Sequence, residues 1–287
     1  MKTALVLEGG AMRGMYTAGV LDVFMDAGLH FDGVIGVSAG ALFGMNFISG
    51  QKGRALRYNK KFNRDRDYMG IRPLLREGNI VSTDYAYGKV PLALDPFDNE
   101  AFMKNPTPFY AVMTDIKAGK PEYVRIRNVF EQVDCLRASG SMPYVSRPVP
   151  INGKKYLDGA ITDSIPYDFM LSKGYDRLVV VLTKCDGYRK EPASPIMADL
   201  RYGWRYPELA ARIKRRHIMY NAQLSRLKRL ERRGVADVLR PSAQVELSKT
   251  ERNPEKLEAL YRVGVADAKA YLSSRGPLCS ERNCGQK

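Results

Sequence analysis

The pentapeptide Gly36-Val37-Ser38-Ala39-Gly40 constrains this chain more than any other stretch. It follows a short apolar run, Gly33-Val34-Ile35, and leads into Ala41-Leu42-Phe43-Gly44-Met45-Asn46-Phe47-Ile48. The order reads as strand, sharp turn and helix, with a serine at the turn. A serine there sits in a strained backbone and carries its hydroxyl out of the sheet, and Gly36 and Gly40 relieve the crowding. The helix that starts just after it sets N–H groups and a positive dipole end beside any negative charge formed at that oxygen. Three fixed positions also fit a plain Gly/Ser turn, so the rest of the chain must decide.

Two further segments bear on that choice. In Leu5-Val6-Leu7-Glu8-Gly9-Gly10-Ala11-Met12-Arg13-Gly14 an apolar strand (3–7) enters a glycine-rich turn. A helix is expected over 15–26, with Tyr16, Val20, Val23 and Phe24 at helical spacing. Small residues at such a turn aim bare N–H groups at one point. In a parallel sheet this loop and the serine loop leave the same edge. Amides of Gly10 and Ala11 would then face the oxygen that turns negative when Ser38 attacks a carbonyl, where one donor is worth about 2.7–4 kcal/mol. A phosphate-binding turn is the competing reading. The second segment, Tyr156-Leu157-Asp158-Gly159-Ala160, follows a hairpin expected over 149–156 that turns at Asn152-Gly153. Asp-Gly alone is an ordinary turn. It gains weight because a nucleophilic serine needs a base and the chain has only two histidines, His30 and His217.

A triad written Ser38, Asp158, His217 has the right chain order. His217 nevertheless lies inside Arg212-Ile213-Lys214-Arg215-Arg216-His217, a basic helical stretch, whereas a triad histidine usually comes from a loop at the catalytic edge. His30 precedes the second strand, at the opposite end from the serine. Both read as surface residues, which leaves a dyad in which Asp158 takes the serine proton, useful only in a partly desolvated site.

Together these segments resemble the patatin-like phospholipase family of lipid acyl hydrolases. That family has a loop of the form [D/E]-G-G-G-x-[R/K]-G, a G-x-S-x-G nucleophile and a D-G-[A/G] aspartate, in this order. Ala138-Ser139-Gly140-Ser141-Met142-Pro143 is similar to the family's small-residue segment, and Asp163-Ser164-Ile165-Pro166 to its N-x-P. The likeness covers roughly 3–185. It implies Ser38 as nucleophile and Asp158 as proton acceptor. It also implies an oxyanion hole at Gly9, Gly10 and Ala11, with Arg13 and Gly14 steadying the loop or meeting a lipid phosphate. Gly36, Gly40, Gly159 and Ala160 complete the motifs. No metal and no cofactor are implied. Ala11 stands where the family carries its third glycine, and alanine resists positive φ.

The 287 residues, 45% hydrophobic, suffice for one large α/β domain. No run approaches the ~20 apolar residues of a membrane span, and the start of the chain lacks the flanks of a signal peptide. Cys135, Cys185, Cys279 and Cys284 show no metal spacing, so a reduced cytoplasm is the expected location. The net charge of +15 concentrates between Arg201 and Arg233. There Leu209, Ile213, Tyr220, Leu224 and Leu227 share one helical face, with the cations mainly elsewhere. Such a helix, near 205–233, either lies peripherally on an anionic inner membrane surface or packs on the sheet with a solvated basic back. No nucleic-acid motif accompanies the charge.

Strands are expected at 109–113, 123–126 and 178–182, and helices at 128–138, within 207–232 and at 254–272. This alternation argues a mainly parallel central sheet with helices on both faces. The segment 53–108 reads as irregular, a cap over an acyl pocket. The expected organisation is one domain over 1–272, with core motifs in 3–185, a basic helical part at 201–272 and a disordered tail at 273–287. The expected function is a serine acyl hydrolase acting on (phospho)lipid esters. A basic membrane scaffold with a vestigial site and a dinucleotide-binding enzyme remain as alternatives. The second is weakened by Ala11, which breaks G-x-G-x-x-G.

Overall fold

The computed structural model describes residues 1–274. Eight strands form one sheet: β1 (Thr3–Leu7), β2 (Gly33–Val37), β3 (Phe109–Asp115), β4 (Lys120–Ile126), β5 (Val149–Ile151), β6 (Lys154–Asp158), β7 (Arg177–Val181) and β8 (Ala236–Leu239). The order β3-β2-β1-β7-β8 is parallel throughout. β4 and β6 pair antiparallel with β3, and β5 with β6. The fold is therefore α/β with a mixed, mostly parallel central sheet flanked by helices. β1 is buried from Ala4 to Leu7 and β2 along its whole length, as expected of strands covered on both faces.

One detail of register positions the site. β4 runs beside β3 from Phe109 to Asp115 and so occupies one of its edges. β2 and β6 must share the other. β2 pairs with β3 as far as Val37 opposite Val112, and β6 takes over with Asp158 opposite Met113. The carboxyl ends of β2 and β6 are thus brought to neighbouring positions, although 120 residues separate Ser38 from Asp158.

Helix α1 (Met15–Asp26) packs against the last helix, Pro254–Ser274, through a glycine contact. A Cβ on Gly19 would lie 2.1 Å from the Tyr261 carbonyl oxygen, and one on Gly264 would lie 2.1 Å from that of Tyr16. Only glycine at both positions lets the two backbones approach so closely. The last helix runs through Ser274, past the expected tail boundary at Ser273, and the rest of that expected tail lies outside the described residues.

The segment 53–108 is not irregular. It holds α3 (Arg54–Phe62), a short helix Ile71–Glu77, a π-helical stretch Asp84–Leu94 and a helix Asn99–Lys104. Its prolines fit because Pro73 falls in the first turn of its helix and Pro91 in a wide-pitched one. Arg54 is buried at its centre, with its guanidinium donating to the Asp95 carbonyl and to Asn46 Oδ1. The helix expected over 128–138 begins only at Val133, and β8 was not expected at all.

Candidate active site

Ser38 is the turn between β2 and helix α2 (Ala39–Ile48), with φ 55° and ψ −124°. A non-glycine residue in that region costs about 1–3 kcal/mol, held by its surroundings. The surroundings are tight. A Cβ on Gly36 would meet the Ala41 amide nitrogen at 2.5 Å, and one on Gly40 would meet the Leu7 carbonyl oxygen at 2.4 Å. The Ser38 N–H donates to Ser139 Oγ at 2.9 Å, and the Ser38 hydroxyl donates to Asp158 Oδ2 at 2.9 Å.

Asp158 ends β6 and is itself held from several sides. Its Oδ1 accepts from the Ala160 N–H at 2.8 Å, its own N–H donates to the Ser141 carbonyl, and its carbonyl accepts from Thr114. Gly159 lets β3 approach, since a Cβ there would lie 2.2 Å from the Val112 carbonyl oxygen. Burial pushes the Asp158 carboxyl above the ordinary carboxylate range, opposed by the Arg216 charge and by the donors from Ala160 and Ser38. Desolvation therefore makes this carboxylate a stronger base than an exposed aspartate.

The loop after β1 lies directly on the serine. A Cβ on Gly9 would come within 2.9 Å of Ser38 Cβ and of the Val37 carbonyl oxygen. Among the described residues the amides of Gly10, Ala11 and Ala39 have no acceptor, and all three border the serine turn. Ala11 adopts φ 50°, so the alanine keeps the left-handed conformation that glycine would take without strain. Glu8 anchors the loop from below. Its carboxylate accepts from Thr183 N–H at 2.6 Å and from the Tyr220 hydroxyl at 2.6 Å. Burial raises the Glu8 pKa, and these donors oppose the shift.

Arg13 does not brace the loop through its Nε, which is buried without a partner among the described residues. It borders a cavity instead, and Gly14 packs against Phe43 and Ala39 of α2. Two cavities meet at Ser38 and Ala11. One is a narrow apolar channel of about 140 Å³, walled by Leu42, Phe43, Tyr58, Val90 and Leu136 among others. The other is a larger basin of about 640 Å³, lined by charged as well as apolar groups, that reaches Asp158, Arg216 and Tyr220. The segment 53–108 supplies much of the channel wall.

The two histidines separate. His30 is exposed and remote. His217 is not the plain surface residue its sequence context implied: it is half-buried and borders the basin. Its Nδ1 lies 3.0 Å from the Lys214 carbonyl oxygen. Sequence reading passed over Thr183, Lys184 and Lys249 as site residues. The first two follow β7 at the sheet edge where parallel strands place their ligands, and that rule alone would have flagged them. Among the described residues no group of three or more His, Cys, Asp or Glu stands ready to hold a metal ion.

Comparison with known proteins agrees with this geometry at the level of family. Residues 5–171 match the family model described as patatin-like phospholipase, and residues 206–279 match one described only as a domain of unknown function. The chain is 33% identical over 188 residues to the uncharacterized protein YjjU of Escherichia coli, covering 63% of this chain and 52% of that one. It is 25% identical over 203 residues to an uncharacterized NTE family protein of Mycobacterium tuberculosis, covering 71% and 54%. It is 27% identical over 188 residues to lysophospholipase nte1 of Aspergillus fumigatus, covering 62% and 12%. The chain thus spans about half the length of the first of these relatives, and far less of the last. With more than half of its residues matched by one family model, the chain belongs to the patatin-like phospholipase family.

Proposed function

We propose that this protein is a serine acyl hydrolase that cleaves fatty acyl esters of phospholipids through a Ser38–Asp158 dyad. One observation carries the reading: the strained, buried Ser38 hydroxyl donates to a desolvated carboxylate at 2.9 Å, where an apolar channel meets a basin lined with charged groups. The acyl chain enters the channel. Ser38 Oγ attacks the ester carbonyl as its proton passes to Asp158. The resulting oxyanion accepts from the free amides at Gly10 and Ala11, with Gly9 holding the loop against the serine. Collapse expels the alcohol, which takes the proton back from Asp158. Water, activated by the same carboxylate, then releases the fatty acid. A fluorophosphonate probe tests the reading: it should label the parent protein and leave Ser38→Ala unlabelled. Equal labelling of the two would remove Ser38 from the chemistry.

Contact with an anionic membrane surface belongs to the same proposal, but its surface differs from the one first expected. In the helix Pro207–Arg232, Leu209, Ile213, Tyr220 and Leu227 are buried against the molecule. Lys214 and Lys228 are engaged by Asp199 and Asp186, and Arg216 faces the basin. Just before it, Ile196, Leu200 and Trp204 recur four apart and are 74%, 82% and 97% exposed. Tyr202 anchors this stretch, its hydroxyl accepting from the N–H of Tyr144, which borders the basin. Arg201 and Arg205 lie within and next to it, Arg212 and Arg215 follow in the next helix, and all four are exposed. Apolar side chains beside cations suit the interface of an anionic bilayer.

A further inference from the structure

We propose that the basin beside Ser38 receives the phosphate of an anionic lipid head group, one without a choline or ethanolamine cation. The inference rests on the hydrolase reading above and names the substrate class of that same site.

Five cations border the basin: Arg13, Lys184, Lys190, Arg216 and Lys249. They come from separate parts of the chain: the loop after β1, the stretch after β7, the helix Pro207–Arg232 and the loop before the last helix. Their convergence is therefore a property of the fold and not of one basic run. Three carboxylates share the wall, Glu8, Asp158 and Glu191. Glu8 is taken by Tyr220 and Thr183, and Asp158 by Ser38 and Ala160. Those donors are neutral and cancel no charge, so five cations face three carboxylates and positive charge is in excess.

The cations themselves are poorly satisfied. Arg13 Nε and Arg216 Nε are buried without a hydrogen-bond partner among the described residues. Lys184 lies over the Tyr188 ring at 4.4 Å and Lys190 over the Tyr220 ring at 5.8 Å, so both flank the basin on aromatic faces. Burial and the neighbouring charges of Arg216 and Lys249 push the Lys190 ammonium down to about 8. Lys184 and Lys249 are lowered for the same kinds of reason. An anion in the basin offsets this crowding, whereas a choline group adds a sixth cation to it. Ser38 and Ala11 border both cavities, so a lipid ester held at the serine points its chain one way and its phosphate the other.

Binding to the Ser38→Ala protein tests this without hydrolysis. Titration calorimetry uses dihexanoyl phosphatidic acid, dihexanoyl phosphatidylcholine and glycerol 1-phosphate, each below any micelle concentration. The expected result is at least about tenfold tighter binding of phosphatidic acid than of phosphatidylcholine. Adding Lys184→Gln with Lys190→Gln should narrow the gap to about threefold or less, and Lys249→Gln should narrow it from the other wall. A thermal melt of each variant checks that it folds. Equal affinity for the two lipids, or a preference that the lysine substitutions leave intact, overturns the proposal. So does glycerol 1-phosphate binding as tightly as the lipid, because the ligand is then a free phosphate ester. Parent turnover of p-nitrophenyl butyrate is measured separately. Its absence would sink the hydrolase reading, while the calorimetric preference would still support the anion site.

Discussion

The first 185 residues and the helical part from 201 onward approach Ser38 in different ways. In the proposed reaction the first part brings the reacting atoms and donors: the turn at Ser38, the loop at Gly9 to Ala11 and the end of β6 at Asp158. The second brings their environment: Tyr220 holds Glu8 beneath the loop, and Arg216 and Lys249 set the charge around Asp158. The chemistry is thus local in motif, and its electrostatics is assembled at long range. Substitutions in the first part should act on rate, and those in the second on stability, pH dependence and lipid contact.

Gly9→Ala should have the largest effect of the variants that sharpen this contrast. The added Cβ meets Ser38 Cβ and the Val37 carbonyl oxygen at 2.9 Å, so Ser38 or the loop must shift. Displacements of that kind cost about 10²-fold in kcat/KM, read on p-nitrophenyl butyrate. An unchanged rate would separate the loop from the chemistry. Next, reversing Arg201, Arg205, Arg212 and Arg215 to Glu should weaken binding to anionic vesicles by about tenfold or more, since each cation near such a surface contributes about 1 kcal/mol. Turnover of the soluble ester should stay near the parent value. Vesicle binding equal to the parent would leave the exposed Trp204 stretch without a membrane role.

Tyr220→Phe should act on stability more than on rate. It leaves Glu8 Oε1 buried without its donor, a loss of about 1–3 kcal/mol visible in the urea midpoint. If kcat fell by orders of magnitude instead, the division between the two parts would fail. The smallest effect concerns pH. Asp158 must be ionised to accept a proton, so kcat/KM should rise with pH through its raised pKa. The Arg216 charge holds that value down, so Arg216→Gln should move the acid limb to higher pH and leave the alkaline plateau in place. A limb that stays put would mean that another group limits the rate.

Much of the first part was legible because its chemistry is local. Strand, glycine turn and helix follow in order at Gly9 to Gly14 and at Gly36 to Gly40, and the type of each residue states its backbone duty. The hairpin at Asn152-Gly153 was equally plain, with φ of 48° and 77° at the two turn residues. The meeting of Ser38 with Asp158 was expected from the scarcity of histidines and from family likeness, not from strand pairing. Its physical cause, β3 outrunning β2 and taking up β6, is a pairing between distant strands that no local pattern records. Along the helix Pro207–Arg232, Ile213, Arg216, His217 and Tyr220 fall at i, i+3, i+4 and i+7, and all four border the basin. The period contained that face, but charge was read as solvent-facing, and so the inward turn of Arg216 was missed. The segment 53–108 was misread because its prolines sit where a first turn or a wide helix tolerates them.

In the proposed mechanism Asp158, and not His217, takes the proton of Ser38. This assignment is tested most directly by kcat/KM of Asp158→Asn and His217→Ala on p-nitrophenyl butyrate, each beside a thermal melt. Asp158→Asn should lose about 10³-fold or more, because members of one catalytic unit fail together, while His217→Ala should stay within about threefold of the parent, less than 1 kcal/mol of barrier. The melts carry a sign of their own. Burial raises the folded pKa of Asp158 above its unfolded value, so the parent loses stability as pH rises from the ordinary carboxylate range through that raised value. Asp158→Asn should therefore melt above the parent at neutral pH, with the gap closing in acid. A folded His217→Ala that loses as much activity as Asp158→Asn would make histidine the base and rule out the dyad.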